Sequence, residues 1–169
     1  MAREWRVGQH KGWNPTTQLL TTYSLSTTDT GMNPTYEGVI LTRDPAETDQ
    51  LQLATNEAHY MLLKRVTTDG PDKWDVMNGV DKGVAKTGDL VPVALLAEPQ
   101  EWKLKTFKST STDGISSSSV VGTRLGVADG LIQGLADSGD GSVALFRLMA
   151  NDMASDGSIT VRVDNYHPA

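Results

Sequence analysis

The residues able to do chemistry are few and scattered. Histidine occurs three times, as His10, His59 and His167, with no HxH pair and no HExxH helix signature. A zinc centre needs three or four nitrogen, sulfur or oxygen ligands converging on one point. Here each histidine stands alone in sequence, so no metal site is expected. Cysteine is absent, which excludes disulfides, thiolate–metal centres and a cysteine nucleophile. Serines crowd the stretch Ser109–Ser119, but none sits in the Gly-x-Ser-x-Gly turn that presents a hydrolase nucleophile. Gly139-Asp140-Gly141-Ser142-Val143-Ala144 matches the loose form of a dinucleotide fingerprint. The residues after it read as strand, turn and strand, whereas the fingerprint has to open a βαβ unit. Oxygen ligands gather at Asp137–Ser142 and at Asn151–Gly157. Neither stretch has EF-hand spacing, and Asp-Gly is the ordinary hairpin dipeptide. Paired carboxylates for glycoside hydrolysis usually work among aromatic platforms, and only 6% of residues are aromatic. The expectation is no enzyme, no cofactor and no metal.

The charge balance narrows the partners. Fifteen basic and 21 acidic residues leave a net charge of −6. Such a chain repels phosphate, so nucleic acid is not expected as a partner. No apolar run approaches the roughly 20 residues of a membrane span, and the first residues lack the apolar core of a signal peptide. The expectation is a soluble protein made in a cytoplasm and not exported by the usual route.

Short strands must carry whatever function there is. Gln50–Ala54 alternates with period two, and Ile159–Val163 does so more cleanly. Gly38–Thr42, His59–Val66, Val84–Ala85, Leu90–Leu96, Trp102–Phe107, Val120–Val121, Leu125–Ala128 and Val143–Met149 also read as strands. His59–Val66 competes with a helix from Asn56, because Met61, Leu62 and Leu63 are good helix formers. Pro92 within Leu90–Leu96 predicts an edge strand or a neighbouring bulge. Ala144–Met153 is the best candidate for a short helix, and Ser109–Ser119 reads as a mobile polar loop. Strands recurring about every ten residues between Gly- and Pro-rich turns point to an all-β fold: a small sandwich or barrel of short antiparallel strands with little helix.

Residues 1–35 differ from the rest. Thr, Gly and Asn-Pro interrupt any pattern except one strand candidate, Gln18–Leu25, yet Trp5 and Trp13 are present. This reads as an extended N-terminal arm ahead of a single β-rich domain at 36–169. Two Trp in a polar arm need a surface to lie on. Arg3, Arg6 and Lys11 make the segment locally basic in an acidic chain. Trp5, Arg6, Lys11 and Trp13 are therefore the candidate partner-binding residues, with the two Trp as anchors.

The stretch Val76–Val93 contains Gly83-Val84-Ala85, a turn, and Gly88-Asp89-Leu90-Val91-Pro92-Val93. It resembles the small β unit of head decoration (capsid cement) proteins of tailed bacteriophages. Val121–Ala128 is a looser echo, and Ser158–Val163 is similar to the way that unit ends. The resemblance implies a virion structural protein on the outer capsid surface, with the major capsid protein as partner and a homotrimer as its assembly. Apolar content of 38% is low for one self-contained core, which also favours self-association. Two other readings stand beside it. One is a different virion β domain, in the tail tube, at head completion or on a fibre. The other is a small-ligand or carbohydrate-binding module using Trp74 or Trp102 as a platform.

Overall fold

The computed structural model describes residues 5–29, 35–63, 84–85, 87–110, 112–135 and 143–164. Arg3, Trp74, His167, the Asp137–Ser142 turn and Val76–Gly83 of the decoration-like stretch lie outside the described residues. The elements are β1 (Val7–Lys11), α1 (Pro15–Gln18), β2 (Leu19–Leu25), β3 (Thr35–Tyr36), β4 (Ile40–Arg43), β5 (Gln50–Leu53), β6 (Tyr60–Leu62), β7 (Val84–Ala85), β8 (Leu90–Leu95), β9 (Glu101–Leu104), β10 (Arg124–Ala128), β11 (Leu131–Gly134), β12 (Phe146–Asp152) and β13 (Ser158–Val163). The one helix among them is four residues long, so the fold is all-β, as expected.

Two sheets carry the architecture. Strands β2-β5-β4-β6-β8 close into a five-stranded barrel, and β1-β9-β13-β12-β10-β11 form an open sheet. One pairing departs from the antiparallel expectation: β2 and β5 run parallel, through Ser24↔Gln50 and Leu25↔Leu51. The barrel encloses Leu25, Leu41, Leu51, Tyr60, Leu62, Val91 and Val93. A second core lies between barrel and open sheet. Ile40, Met61 and Ala94 of the barrel wall meet Trp102, Leu104, Val127, Phe146, Leu148, Ile159 and Val161 of the sheet. Successive side chains of a strand point to opposite faces, so β4, β6 and β8 serve both cores at once. That is why Tyr60-Met61-Leu62 is apolar without alternation and buried throughout. Strand rather than helix follows, since only an extended run feeds two cores at this spacing. Pro92 sits opposite a register shift in β2 between Leu20 and Tyr23. The bulge relieves the ladder where proline has no N–H to donate.

Four expectations need correction. The described part of the first 35 residues, 5–29, is not a separate arm, because β1 pairs with β9 and β2 closes the barrel against β5 and β8. Ala144–Met153 is not a helix. Phe146–Asp152 is strand β12, held between β10 and β13, where two-sided pairing and burial of Phe146 and Leu148 override helix propensity. Val120–Val121 is not a strand, and these residues are exposed in a turn. Trp102 is only 1% exposed, so it offers no platform to a sugar.

The serine-rich loop is also better ordered than its composition suggests. Ile115 is fully buried, and its N–H donates to Lys108 O. Asn151 Nδ2 donates to the carbonyls of Ser116 and Ser119, each at 2.9 Å. Lys108 N–H to Ile132 O and Gly134 N–H to Asp113 O lay the loop along the outer edge of β11. Replacing Ile115 with Ala should lower unfolding free energy by about 2–4 kcal/mol, the usual range for a buried aliphatic truncation. Urea denaturation checks it, and a loop that merely covers the surface would show almost no change.

Candidate functional site

The candidate residues converge on one edge of the open sheet. A register shift interrupts β1 between Val7 and His10, and Gly8 lies within it. The Trp5 ring is laid over Gly8, where an added Cβ would approach the ring to 2.9 Å. A side chain at position 8 would push the ring off the strand. Lys103 and Lys105 of the neighbouring strand region place their Nζ atoms 5.8 and 4.3 Å from the Trp5 ring centre, a cation–π arrangement. Trp5 remains 37% exposed. Arg6 lies over the Tyr36 ring at 4.4 Å, and its N–H donates to Glu37 Oε1 at 3.0 Å. Lys11, whose side chain is 84% exposed, reaches Glu101 at 3.8 Å.

Trp13 behaves differently. It packs against Trp102 and His10 with ring centres 5.3 and 5.0 Å away. Its indole N–H donates to Gln18 O at 3.2 Å, an acceptor at the end of α1. Asn14 caps that helix through Oδ1 to the Thr16 N–H. Trp13 is thus held on its own domain. A groove of about 600 Å³ adjoins Trp5 and one of about 460 Å³ adjoins Lys11, both lined by Gln9, His10 and Lys103.

Lys103 is anchored from the far side as well. It pairs with Asp156 at 3.1 Å and Asp152 at 3.8 Å. Hydrogen bonds from Ser158 first, then from Lys103, hold the Asp156 carboxyl at about 2, below its usual 3.8. A carboxyl whose folded value is depressed adds stability above its unfolded value and loses that contribution as pH falls through the folded one. The Asp156 contribution should therefore be complete above about pH 4 and fade towards pH 2. In Asp156→Asn, thermal melts over that window should show a shallower fall in stability with acid than the parent. An unchanged slope would show that Asp156 is not linked to folding.

Two further places carry polar groups. At the barrel, Arg43 donates to Tyr23 Oη at 2.7 Å and to Tyr60 Oη at 3.3 Å. Burial raises the Tyr60 phenol above its usual value. The arrangement ties β2, β4 and β6 together through side chains. Beside β4 and β5, a polar hollow of about 510 Å³ is lined by Thr28, Asp29, Thr42, Gln52 and Glu57 among others. Asp29 accepts from the Leu53 N–H and Glu57 from the Thr42 hydroxyl, so both carboxylates brace the wall.

His10 lies against Trp102, and His59 has Nε2 4.0 Å from Glu57. Among the described residues, no three His, Asp or Glu are grouped to hold a metal ion, and no helix is long and apolar enough to cross a membrane. Sequence reading missed Lys103, Lys105 and Tyr36. The alternation of Lys103 and Lys105 with Trp102 and Leu104 placed both lysines on one face. Nothing local could show that β1 would bring Trp5 to them. No family model, curated protein or solved structure matches the chain.

Proposed function

We propose that this chain is a virion structural protein that adheres to the outside of an assembled phage capsid and stabilises it. The observation that carries the reading is the Trp5 face: a partly exposed indole laid over Gly8, with Lys103 and Lys105 against the ring, on the edge of the open sheet. A preordered aromatic with a polar rim is the form of a binding anchor, because little side-chain entropy remains to be lost. The resemblance at Gly88–Val93 supplies the partner. Gly88, at φ +82, turns the chain into β8, where Val91 and Val93 enter the barrel core. The net charge of −6 suits the outer surface better than the DNA-filled interior.

Deletion of residues 1–15 is a poor test, because it removes β1 from the sheet and Trp13 from Trp102. Trp5→Ala is better, since the side chain lies largely outside both cores. Purified chain should co-sediment with capsid shells assembled without it and raise their disruption temperature. Trp5→Ala should weaken that binding by about 2 kcal/mol, roughly thirtyfold. Absence of binding by the parent chain, or its recovery from purified tails rather than heads, would overturn the reading.

A further inference from the structure

The outer face of the open sheet carries a row of arginines. Register aligns Arg124 of β10 with Arg147 of β12, and Arg147 with Arg162 of β13. Each alternates with core residues: Leu125 follows Arg124, Phe146 and Leu148 flank Arg147, and Val161 and Val163 flank Arg162. Successive side chains point to opposite faces, so all three arginines stand on the face turned away from the barrel. Like charges placed directly opposite on a sheet destabilise it. Asp164 offsets part of that cost. Its Oδ2 accepts from Arg147 Nε at 2.9 Å, and its Oδ1 accepts from Arg162 Nη2 at 2.8 Å. Glu101, the register partner of Arg162, pairs instead with Lys11. Among the described residues no carboxylate reaches Arg124, which is exposed. The row thus sets three guanidinium groups against one carboxylate, in a chain whose net charge is −6.

An apolar pair adjoins the Arg124 end of the row. Val120 and Val121 are 72% and 56% exposed, in the turn that leads into β10. Backbone bonds fix that turn: Gly122 N–H donates to Leu148 O, and Thr123 N–H to Val120 O. The Thr123 hydroxyl donates to the same Val120 carbonyl at 2.6 Å. We propose that this face binds an extended acidic segment of another protein, its carboxylates on Arg124 and Arg147 and an apolar side chain on Val120 and Val121. Asp164 shows on the molecule itself that these arginines take a carboxylate, through charge-assisted N–H donors. An extended segment presents every second side chain to one face, about 7 Å apart. Long guanidinium side chains on strands about 4.8 Å apart can meet that step. Nucleic acid fits less well, because a continuous run of phosphates would also face Asp164 and Glu101.

The proposal does not rest on the capsid reading, and its test uses the purified full chain. Fluorescence polarisation with a labelled peptide in which Glu alternates with Val should show saturable binding that salt weakens. The same peptide with Gln for Glu should bind about tenfold more weakly. Arg124→Gln should weaken binding of the Glu peptide by about tenfold. It should leave the thermal melt unchanged or raised, because it removes a like-charged neighbour of Arg147. Asp164→Asn should tighten binding about threefold, since no internal carboxylate then competes for Arg147 and Arg162. Val120→Ser should weaken binding without any change of charge. Circular dichroism confirms that each variant is folded. Should Asp164→Asn misfold, Arg124→Gln and Val120→Ser carry the test. No binding by the parent at about 1 mM peptide, equal binding of the Gln peptide, or Arg124→Gln without effect would each overturn the proposal. So would tighter binding of a thymidine oligonucleotide, or self-association of the parent that Arg124→Gln abolishes, which would give the face to nucleic acid or to a second copy.

Discussion

Trp102→Ala should lower the unfolding free energy by about 3–5 kcal/mol, the range for removing a buried aromatic. Among the described residues, Trp102 is the largest of the fully buried side chains, at 1% exposure. It fills the space between barrel and sheet and supports Trp13 and His10 at ring distances of 5.3 and 5.4 Å. Its indole N–H donates to Gln100 Oε1 at 3.1 Å, and Gln100 Nε2 donates in turn to Leu95 O. Truncation opens a cavity and leaves a buried carbonyl oxygen without its donor, two effects of the same sign. Trp102→Phe separates them, since it keeps most of the packing and should cost less than the alanine change. Guanidinium denaturation followed by circular dichroism measures both. A change below about 1 kcal/mol for Trp102→Ala would mean that the His10–Trp13–Trp102 cluster is not packed as described.

Gly130→Ala should be nearly as damaging, at about 2–4 kcal/mol from backbone strain and overpacking together. Gly130 turns β10 into β11 with φ +77. A Cβ there would stand 2.7 Å from both Leu53 Cδ2 and Val39 Cγ1, and 3.2 Å from Ile40 O. The same residue joins the two units through its backbone. Ile40 N–H donates to Gly130 O, and Gly130 N–H donates to Ala54 O. Gly122 provides the control. Its φ is +96, but an added Cβ would meet nothing within 4 Å. Gly122→Ala should therefore show only the conformational part, about 1–2 kcal/mol. Equal losses for the two glycines would remove the packing argument for Gly130.

Several elements were legible from the sequence because their signals are local. Ser158–Val163 alternates Ile159, Val161 and Val163 with Thr160 and Arg162, and β13 buries that apolar face. Glu101–Leu104 and Gln50–Leu53 follow the same period. Pro92 announced an edge strand or a bulge; β8 lies between β2 and β6, and the bulge stands opposite it in β2. Absence of cysteine, the balance of charge and the scarcity of histidine are properties of composition, and no fold alters them. The identity of Trp5, Arg6, Lys11 and Trp13 as unusual residues in a polar stretch was legible in the same way.

Composition and local pattern were enough for the all-β class, the period-two strands, the turn positions and the acidity. Tertiary structure alone decided which strands pair, and with that the meaning of the first 35 residues. The Val7–Lys11 stretch is a strand because β9 lies beside it, although the two are about 90 residues apart in the chain. Trp13 came to pack against the core and Trp5 to lie on the surface by the same pairing. Ala144–Met153 has helical propensity, but the flanking strands of the sheet claim its backbone hydrogen bonds. Ile115 looked like one apolar residue in a mobile loop, until Asn151 and Lys108 fixed that loop over the sheet. Local propensity amounts to a few tenths of a kcal/mol per residue, whereas burial of one large side chain amounts to about 1.5–3 kcal/mol. Where the two disagree, contacts between residues distant in sequence prevail, and no local pattern records them.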